Sequence, residues 1–210
     1  EMLEGIILDI SDRKEFENAL KYHNDHDMWT GLYNRRYFES ILKSDVTIEA
    51  SINRAILCIN LSTVNLLSTT YGFYYSQELI RKAAEVLMLH CTENHQLFNT
   101  YPDQFVFYIR DYRDKDDLIE FCNTVITSLE SVLSAESIGG GIGIMEIDND
   151  IKHDFESLLK NVLVASEKAI VSYDRDFGYC FYDKKMELQQ IREETIQREL
   201  FQISTGEISD

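Results

Sequence analysis

The sequence has few basic residues for its number of acidic ones. It holds 20 Lys and Arg against 37 Asp and Glu, which gives the 210 residues a formal net charge of -17 at pH 7. No tract of Lys and Arg is longer than a short pair. Nucleic acid and anionic membrane surfaces bind clustered positive charge, so this composition argues against both as partners. A triphosphate would need a metal ion or a local basic pocket to offset the repulsion.

The chain also lacks paired cysteines and a membrane-spanning run. Its 4 cysteines stand far apart in apolar or amphipathic stretches, which favours reduced thiols over a disulfide or zinc framework. No apolar run is long enough to cross a bilayer, and no signal peptide is visible. We therefore expect a cytoplasmic domain, which a membrane-anchored protein could still carry. Because the first residue is Glu1, we interpret the chain as part of a longer protein.

Proline and glycine are scarce, with 1 and 9 copies, and mark two stretches. Pro102 lies in residues 99–106 (NTYPDQFV), between two strand-like runs, and the pattern predicts a hairpin. Residues 137–147 (SIGGGIGIMEI) form a glycine-rich strand. No helix that starts with Lys or Ser follows these glycines, so a phosphate-binding P-loop is excluded.

Hydrophobic periodicity predicts alternating strands and helices along the chain. The almost wholly apolar run 53–61 is typical of a central strand covered on both faces. A short apolar run at 4–10 is predicted as a strand, and Ser11 as the cap of the polar helix that follows it. Strands are predicted at 4–10, 53–61, 96–98, 105–109, 137–147 and 179–183, and helices at 11–27, 35–44, 76–90, 114–133, 154–172 and 184–202.

A distinctive motif, DMWTGLYNRRYF, occupies residues 27–38. Gly31 permits a tight turn, and Asn34 is predicted to cap the helix that begins with the next residue. We expect one of Arg35 and Arg36 to hold the preceding helix through Asp27.

This motif closely resembles Asp-x-Leu-Thr-Gly-Leu-x-Asn-Arg-Arg-x-Phe, which opens the GGDEF domain of diguanylate cyclases, with Trp29 in place of the first leucine. Residues 101–105 (YPDQF) resemble that family's Gly-Gly-Asp-Glu-Phe turn. The resemblance implies an α+β fold with a central mixed, antiparallel-containing sheet flanked by helices, as in nucleotide-cyclase and polymerase-palm domains. It also implies that the glycine-rich strand packs close to its neighbours.

The resemblance divides the chain into three parts. Residues 1–26 resemble the end of an upstream PAS sensor domain and its signalling linker helix, residues 27–183 a GGDEF-like domain, and residues 184–210 an exit helix and the start of an EAL phosphodiesterase domain. An apolar stripe of Phe16, Leu20 and His23 on the first helix indicates a homodimer contact, although the stripe could instead pack on its own domain. The expected partners are the upstream sensor domain, the downstream EAL domain and a second copy of the chain.

The family's reaction joins two GTP molecules into cyclic di-GMP, and carboxylates hold the metal ions that polarise the phosphate. Asn60 stands where one metal-binding Asp belongs, and Gln104 replaces the turn's Glu, so that Asp103 alone keeps a charge. Tyr101 and Pro102 replace the two glycines, which predicts a bulkier turn of different geometry. We therefore expect no catalytic residue and no bound metal, with Asn60, Asp103 and Gln104 as vestigial positions.

The nucleotide contacts that the resemblance implies are altered as well. Ser68 and Gln77 stand where the family reads the guanine edge, and they lack the family's charged acceptor. The basic residues near the triphosphate are replaced, with Arg175 as the nearby substitute. Ser68, Gln77, Tyr101 and Arg175 would form a vestigial nucleotide pocket. Five aromatic residues either fill this pocket, which we favour, or form a stacking surface: Tyr71, Phe73, Tyr74, Tyr75 and Tyr101.

Three functions stay open on the sequence. The leading one is a catalytically inactive GGDEF-like domain that relays signals in cyclic di-GMP signalling, with no cofactor. The second is a module that binds GTP without turning it over. The third is an active diguanylate cyclase with an atypical YPDQF site, and magnesium and GTP are expected as ligands only in these last two cases.

Overall fold

The computed structural model describes residues 2–45, 52–61, 63–136, 138–147, 154–170 and 176–186, and single residues between 188 and 200. Helices and strands alternate along it. The elements are α1 (Met2–Asp25), β1 (Tyr33–Asn34), α2 (Arg35–Asp45), β2 (Arg54–Asn60), α3 (Thr63–Tyr71), α4 (Phe73–Met88), β3 (His95–Tyr101), β4 (Gln104–Arg110), α5 (Lys115–Leu133), a 3-10 turn (Ser134–Glu136), β5 (Gly140–Ile147), α6 (Phe155–Ala169) and β6 (Phe177–Phe181).

The strands form one mixed sheet in the order β1-β3-β4-β2-β5-β6. At its centre, β2 is buried along its whole length and runs antiparallel to both β4 and β5. Because side chains alternate along a strand, Ala55, Leu57 and Ile59 enter one core while Ile56 and Cys58 enter the other. Helices α3, α4 and α5 supply the first core, and α2 and α6 the second. The predicted mixed sheet flanked by helices is therefore confirmed.

The glycines of β5 let α6 lie directly against the sheet. A β-carbon on Gly141 would stand 1.9 Å from the main-chain oxygen of Ser166, and one on Gly143 would stand 2.1 Å from that of Val162. Neither distance leaves room for any side chain. The prediction that this strand packs close to its neighbours is confirmed.

The predicted strand at 4–10 is wrong, because α1 runs from Met2 through Ser11 to Asp25 as one helix, and Ser11 is therefore not a helix cap. A short apolar run fits a strand and a helix equally well by periodicity alone. Within the described residues the stripe on this helix does not pack on its own domain, since Phe16 is 65% exposed, Leu20 is 55% exposed and His23 is exposed.

The other predicted helices match α2, α4, α5 and α6 to within a few residues. Asp114 and Asp154 cap α5 and α6, since each carboxylate accepts a hydrogen bond from the amide three residues on. The sequence analysis gave no bounds for α3. Described residues between 184 and 200 are helical, whereas the segment 201–208, part of the stretch that resembles the start of an EAL domain, lies outside the described residues.

Of the described residues, only α5 with the turn after it is long and apolar enough to cross a membrane. The apolar face of α5 packs inside the protein, where the buried core residues are Leu118, Cys122, Val125, Leu129 and Leu133. This is the burial of a core helix.

Candidate functional site

The hairpin of β3 and β4 closes through Pro102 and Asp103, with Tyr101 paired to Gln104. Among the described residues other than glycine, Asp111 alone has a positive φ. The connection is therefore not one of the left-handed turns that two-residue hairpin loops favour. Pro102 explains the difference, because its ring fixes φ near about -65°.

Asn99 holds this turn in place, a role that the sequence analysis missed. Its side-chain amide donates to the main-chain oxygens of Tyr101 at 2.7 Å and Gln104 at 3.0 Å. The residue is buried beside the register shift between positions 99 and 101. Asn is depleted in strands, so an Asn within a buried strand just before a turn was the available signal.

The three vestigial metal positions do come together. Asn60 ends β2 and pairs with Gln104 of β4, and the amide of Leu61 donates to the main-chain oxygen of Asp103 at 2.9 Å. Asn60 is 3% exposed, and its side-chain nitrogen lies 3.5 Å from the hydroxyl of Ser166. The structure therefore brings Asn60, Asp103 and Gln104 together at one end of the central strands, with Asp103 as the single carboxylate of the three.

The described residues at this edge add no further charge beside Asp103 that could hold a metal ion. Cys58 lies on the same strand, but burial raises the pKa of its thiol to about 12, which keeps it protonated near neutral pH. The part of the chain that the structure describes contains no group of three or more His, Cys, Asp and Glu that could hold a metal ion. Magnesium prefers carboxylate oxygens in near-octahedral order, and the residues present do not fit it.

The predicted nucleotide-pocket residues are distributed over separate elements. Ser68 lies on α3 and Gln77 on α4, both half-buried, and Gly72 with φ of 91° joins the two helices. Arg175 lies outside the described residues. Tyr101 lines a cleft of about 440 Å³ that does not include Ser68 or Gln77. Its other lining residues include Asn34, Arg35, Arg36 and Asn99.

Contrary to the prediction, the aromatic residues do not fill a pocket. Tyr71 is 63% exposed, Phe73 53% and Tyr74 80%, and Tyr75 is the one that packs against the core. The Trp29 ring meets that of Phe73 edge-on, with centroids 5.6 Å apart. Three of the five rings therefore form an exposed surface beside the α3–α4 junction.

Arg35 ties the altered turn to two helices. From the start of α2 its guanidinium donates to the Tyr101 hydroxyl and to the Glu156 carboxylate on α6. It also lies 4.9 Å from the centroid of the Tyr101 ring and 5.8 Å from that of Phe155. Partial burial lowers the pKa of Arg35, but the bonds and charges of Glu156 and Tyr101 outweigh it, so the net shift is upward.

The motif at 27–38 fixes the end of α1 to the domain. Gly31 has φ of 71°, and the side-chain oxygen of Asn34 accepts from the amide of Tyr37 at 3.0 Å, which confirms the predicted turn and cap. Arg36 donates to the side chain of Asn24. The expected contact through Asp27 is wrong, because that carboxylate accepts three bonds from its own turn.

Residues 24–169 match the family model described as "Diguanylate cyclase, GGDEF domain". The fold is similar to "Vibrio cholerae LapD S helix-GGDEF-EAL (bound to c-di-GMP)", with a TM-score of 0.68 and 17% identity over 90% of this chain and 46% of that chain. It is also similar to the coiled coil and GGDEF domain of DgcB from Caulobacter crescentus in complex with c-di-GMP, with a TM-score of 0.65 and 14% identity over 85% of this chain and 99% of that chain. "Uncharacterized protein sll1895" from Synechocystis sp. is 24% identical over 96% of this chain, which spans only 30% of that protein.

Proposed function

The chain belongs to the GGDEF family of diguanylate cyclase domains, and we propose that it relays signals in cyclic di-GMP signalling without carrying out the cyclase reaction. The observation that carries the proposal is the pair Asn60 and Gln104. They lie side by side at the end of the central strands, where the family's metal-binding carboxylates would stand, and both are neutral.

The chemistry explains why this pair matters. Joining two GTP molecules requires an activated ribose hydroxyl and neutralisation of the phosphate charge, and metal ions supply both. Asp103 is the single carboxylate among Asn60, Asp103 and Gln104, which leaves too little charge for a pair of such ions. The formal net charge of -17 also repels a triphosphate. The intact scaffold, with one carboxylate left at the site, supports a role in regulation.

The first helix supports the relay. Its stripe of Phe16 and Leu20 is exposed on the described chain, and in proteins most of the stability of a helix comes from packing of its apolar side chains. We infer a parallel pairing of α1 with α1 of a second copy. In this arrangement an upstream sensor would change the pairing and a downstream EAL domain would respond to it.

The relatives support the placement within a longer protein, which we propose is cytoplasmic. The LapD chain contains an S helix, a GGDEF domain and an EAL domain in one polypeptide, and the DgcB structure joins a coiled coil to its GGDEF domain. The present chain spans 30% of its Synechocystis relative, which leaves room there for further domains. We propose the order sensor, GGDEF-like domain, EAL domain for this protein.

A charge on the stripe tests the relay. Leu20→Glu should weaken dimerisation in analytical ultracentrifugation, because it places carboxylates opposite each other in the paired helices, and should shift phosphodiesterase activity in the longer protein. The matched control is Lys21→Glu, on the neighbouring exposed residue, which changes the charge more but lies off the stripe. Equal behaviour of both variants and the parent chain in both assays would reject the relay.

GTP binding without turnover is a second candidate. Ser68 and Gln77 are half-buried polar residues on adjacent helices, so they keep the capacity to hydrogen-bond a guanine edge. Calorimetric titration with GTP and magnesium decides between the two functions. Heat of binding that Gln77→Ala abolishes would establish the binding module, whereas the proposed relay needs no such signal.

A further inference from the structure

Asn34, Arg35 and Arg36 hold the end of α1 and the turn between β3 and β4 together. Asn34 donates to the main-chain oxygen of Asn24 at 2.8 Å, and Arg36 donates to the side chain of Asn24, near the end of α1. Between them, Arg35 reaches the hairpin and donates to Tyr101. A movement at the end of α1 therefore acts directly on the residue that contacts the turn.

The same arginine also reaches the output side of the domain. Its second bond is to Glu156, in the first turn of α6. At the other end of α6, Lys168 donates to the side chain of Gln189 at 2.8 Å, in the helical segment after β6. Over its 15 residues α6 spans roughly 22 Å as a rigid rod, so it joins the Arg35 contact to the exit segment.

Tyr101 is well placed to fix this connection. Its main-chain oxygen accepts from Asn99, which anchors its backbone in the sheet, while its ring and hydroxyl both contact Arg35. A glycine at this position would offer neither contact. Tyr101, which makes the turn bulkier than a glycine would, therefore also connects α1, the hairpin and α6.

We propose that Tyr101, Arg35 and Glu156 form a coupling clamp that transmits displacement of the α1 end through α6 to the exit helix. The clamp rests on the proposed relay function and gives it a physical route. Coupling through such a network requires that contacts along it respond together, so Tyr101 is a positioning residue whose removal should uncouple the two ends.

Hydrogen exchange on the purified chain tests the clamp without reference to any downstream activity. Asn24→Ala supplies the perturbation, because it removes the acceptor of Arg36. The readout is amide exchange in the peptide that contains Gln189. We expect Asn24→Ala to raise that exchange rate about threefold, the scale of an exposed charged contact.

The same perturbation is then repeated in variants of the clamp. In Tyr101→Ala the increase should disappear, and in Tyr101→Phe, which keeps the stacking but loses the hydroxyl, it should be reduced. Tyr74→Ala is the control, since this tyrosine is 80% exposed and takes no part in the clamp. Near-native stability of each variant is verified by its melting temperature.

The outcomes separate the clamp from the relay. If Asn24→Ala still raises exchange threefold in Tyr101→Ala, the clamp is overturned while the relay stands. If Asn24→Ala changes nothing at Gln189 in the parent chain, both the relay through this domain and the clamp are overturned. Loss of the increase in Tyr74→Ala as well would also overturn the specific role of Tyr101.

Discussion

Placing a carboxylate at position 60, at the end of the central strand, should destabilise the protein. The change is Asn60→Asp, at a residue that is 3% exposed and whose amide nitrogen lies 3.5 Å from the hydroxyl of Ser166. That hydroxyl already donates to the main-chain oxygen of Leu163 at 2.7 Å. The new carboxylate would therefore replace a donor by a charge at a place where the nearest hydroxyl is committed elsewhere.

The cost follows from burial of a charge without a cation. Leaving one uncompensated buried charge costs about 3 kcal/mol, which for a chain of this size lowers the melting temperature by about 6–12 °C. Burial raises the pKa of such a carboxyl above its ordinary value of about 4. The cost should therefore be full at pH 7 and fade as the pH falls, until it is lost below about 4, where the acid is neutral in both folded and unfolded chains.

Thermal unfolding with and without magnesium measures this effect. A metal that bound the folded variant at about 100 times its dissociation constant would return about 2.7 kcal/mol. We expect about 10 mM magnesium to return less than about 0.5 kcal/mol, because Gln104 still supplies no second charge. In the double variant Asn60→Asp/Gln104→Glu, position 104 carries that second charge. A single variant as stable as the parent at pH 7, or one that magnesium restores, would refute the description of this site.

The remaining predictions concern packing and pH. Gly141→Ala should cost about 3 kcal/mol, the upper end of the range for overpacking, because its β-carbon would meet the main-chain oxygen of Ser166, which cannot move aside as a side chain can. A loss below about 0.5 kcal/mol in chemical denaturation would contradict this. Burial and the charge of His90 lower the pKa of His95, which packs on Phe121. The unfolded chain then binds more protons, so the unfolding free energy should fall as pH drops below about 6.5, and His95→Gln should flatten that part of the profile. If the slope of unfolding free energy against pH is the same in His95→Gln as in the parent chain, His95 is not the source of this pH dependence.

Local sequence patterns were enough for most of the fold. The apolar run of β2 predicted a strand covered on both faces, and the observed sheet confirms it. The close packing of β5 was implied by the resemblance to the GGDEF family, and the surroundings of its glycines confirm it. The segment 4–10 failed because an apolar run of that length satisfies a strand and a helix alike. Only the continuous backbone from Met2 to Asp25 decides between them.

The sequence could predict which positions belong to the site, but not which of the surrounding side chains contact each other. The alignment of Asn60 with Gln104 follows from the order of the strands and their register. The bond from Arg35 to Tyr101 joins residues 66 apart, and the bond to Glu156 joins residues 121 apart. No periodic pattern encodes such a pairing, because it depends on where three elements meet in the folded chain.

We propose that this GGDEF domain does not make cyclic di-GMP. The most direct measurement is chromatography of the products after the purified chain is incubated with GTP and magnesium or manganese, beside an Asp103→Ala variant. We expect no cyclic di-GMP above the protein-free control from either chain. Cyclic di-GMP that the parent chain makes and the Asp103→Ala variant does not would contradict the claim.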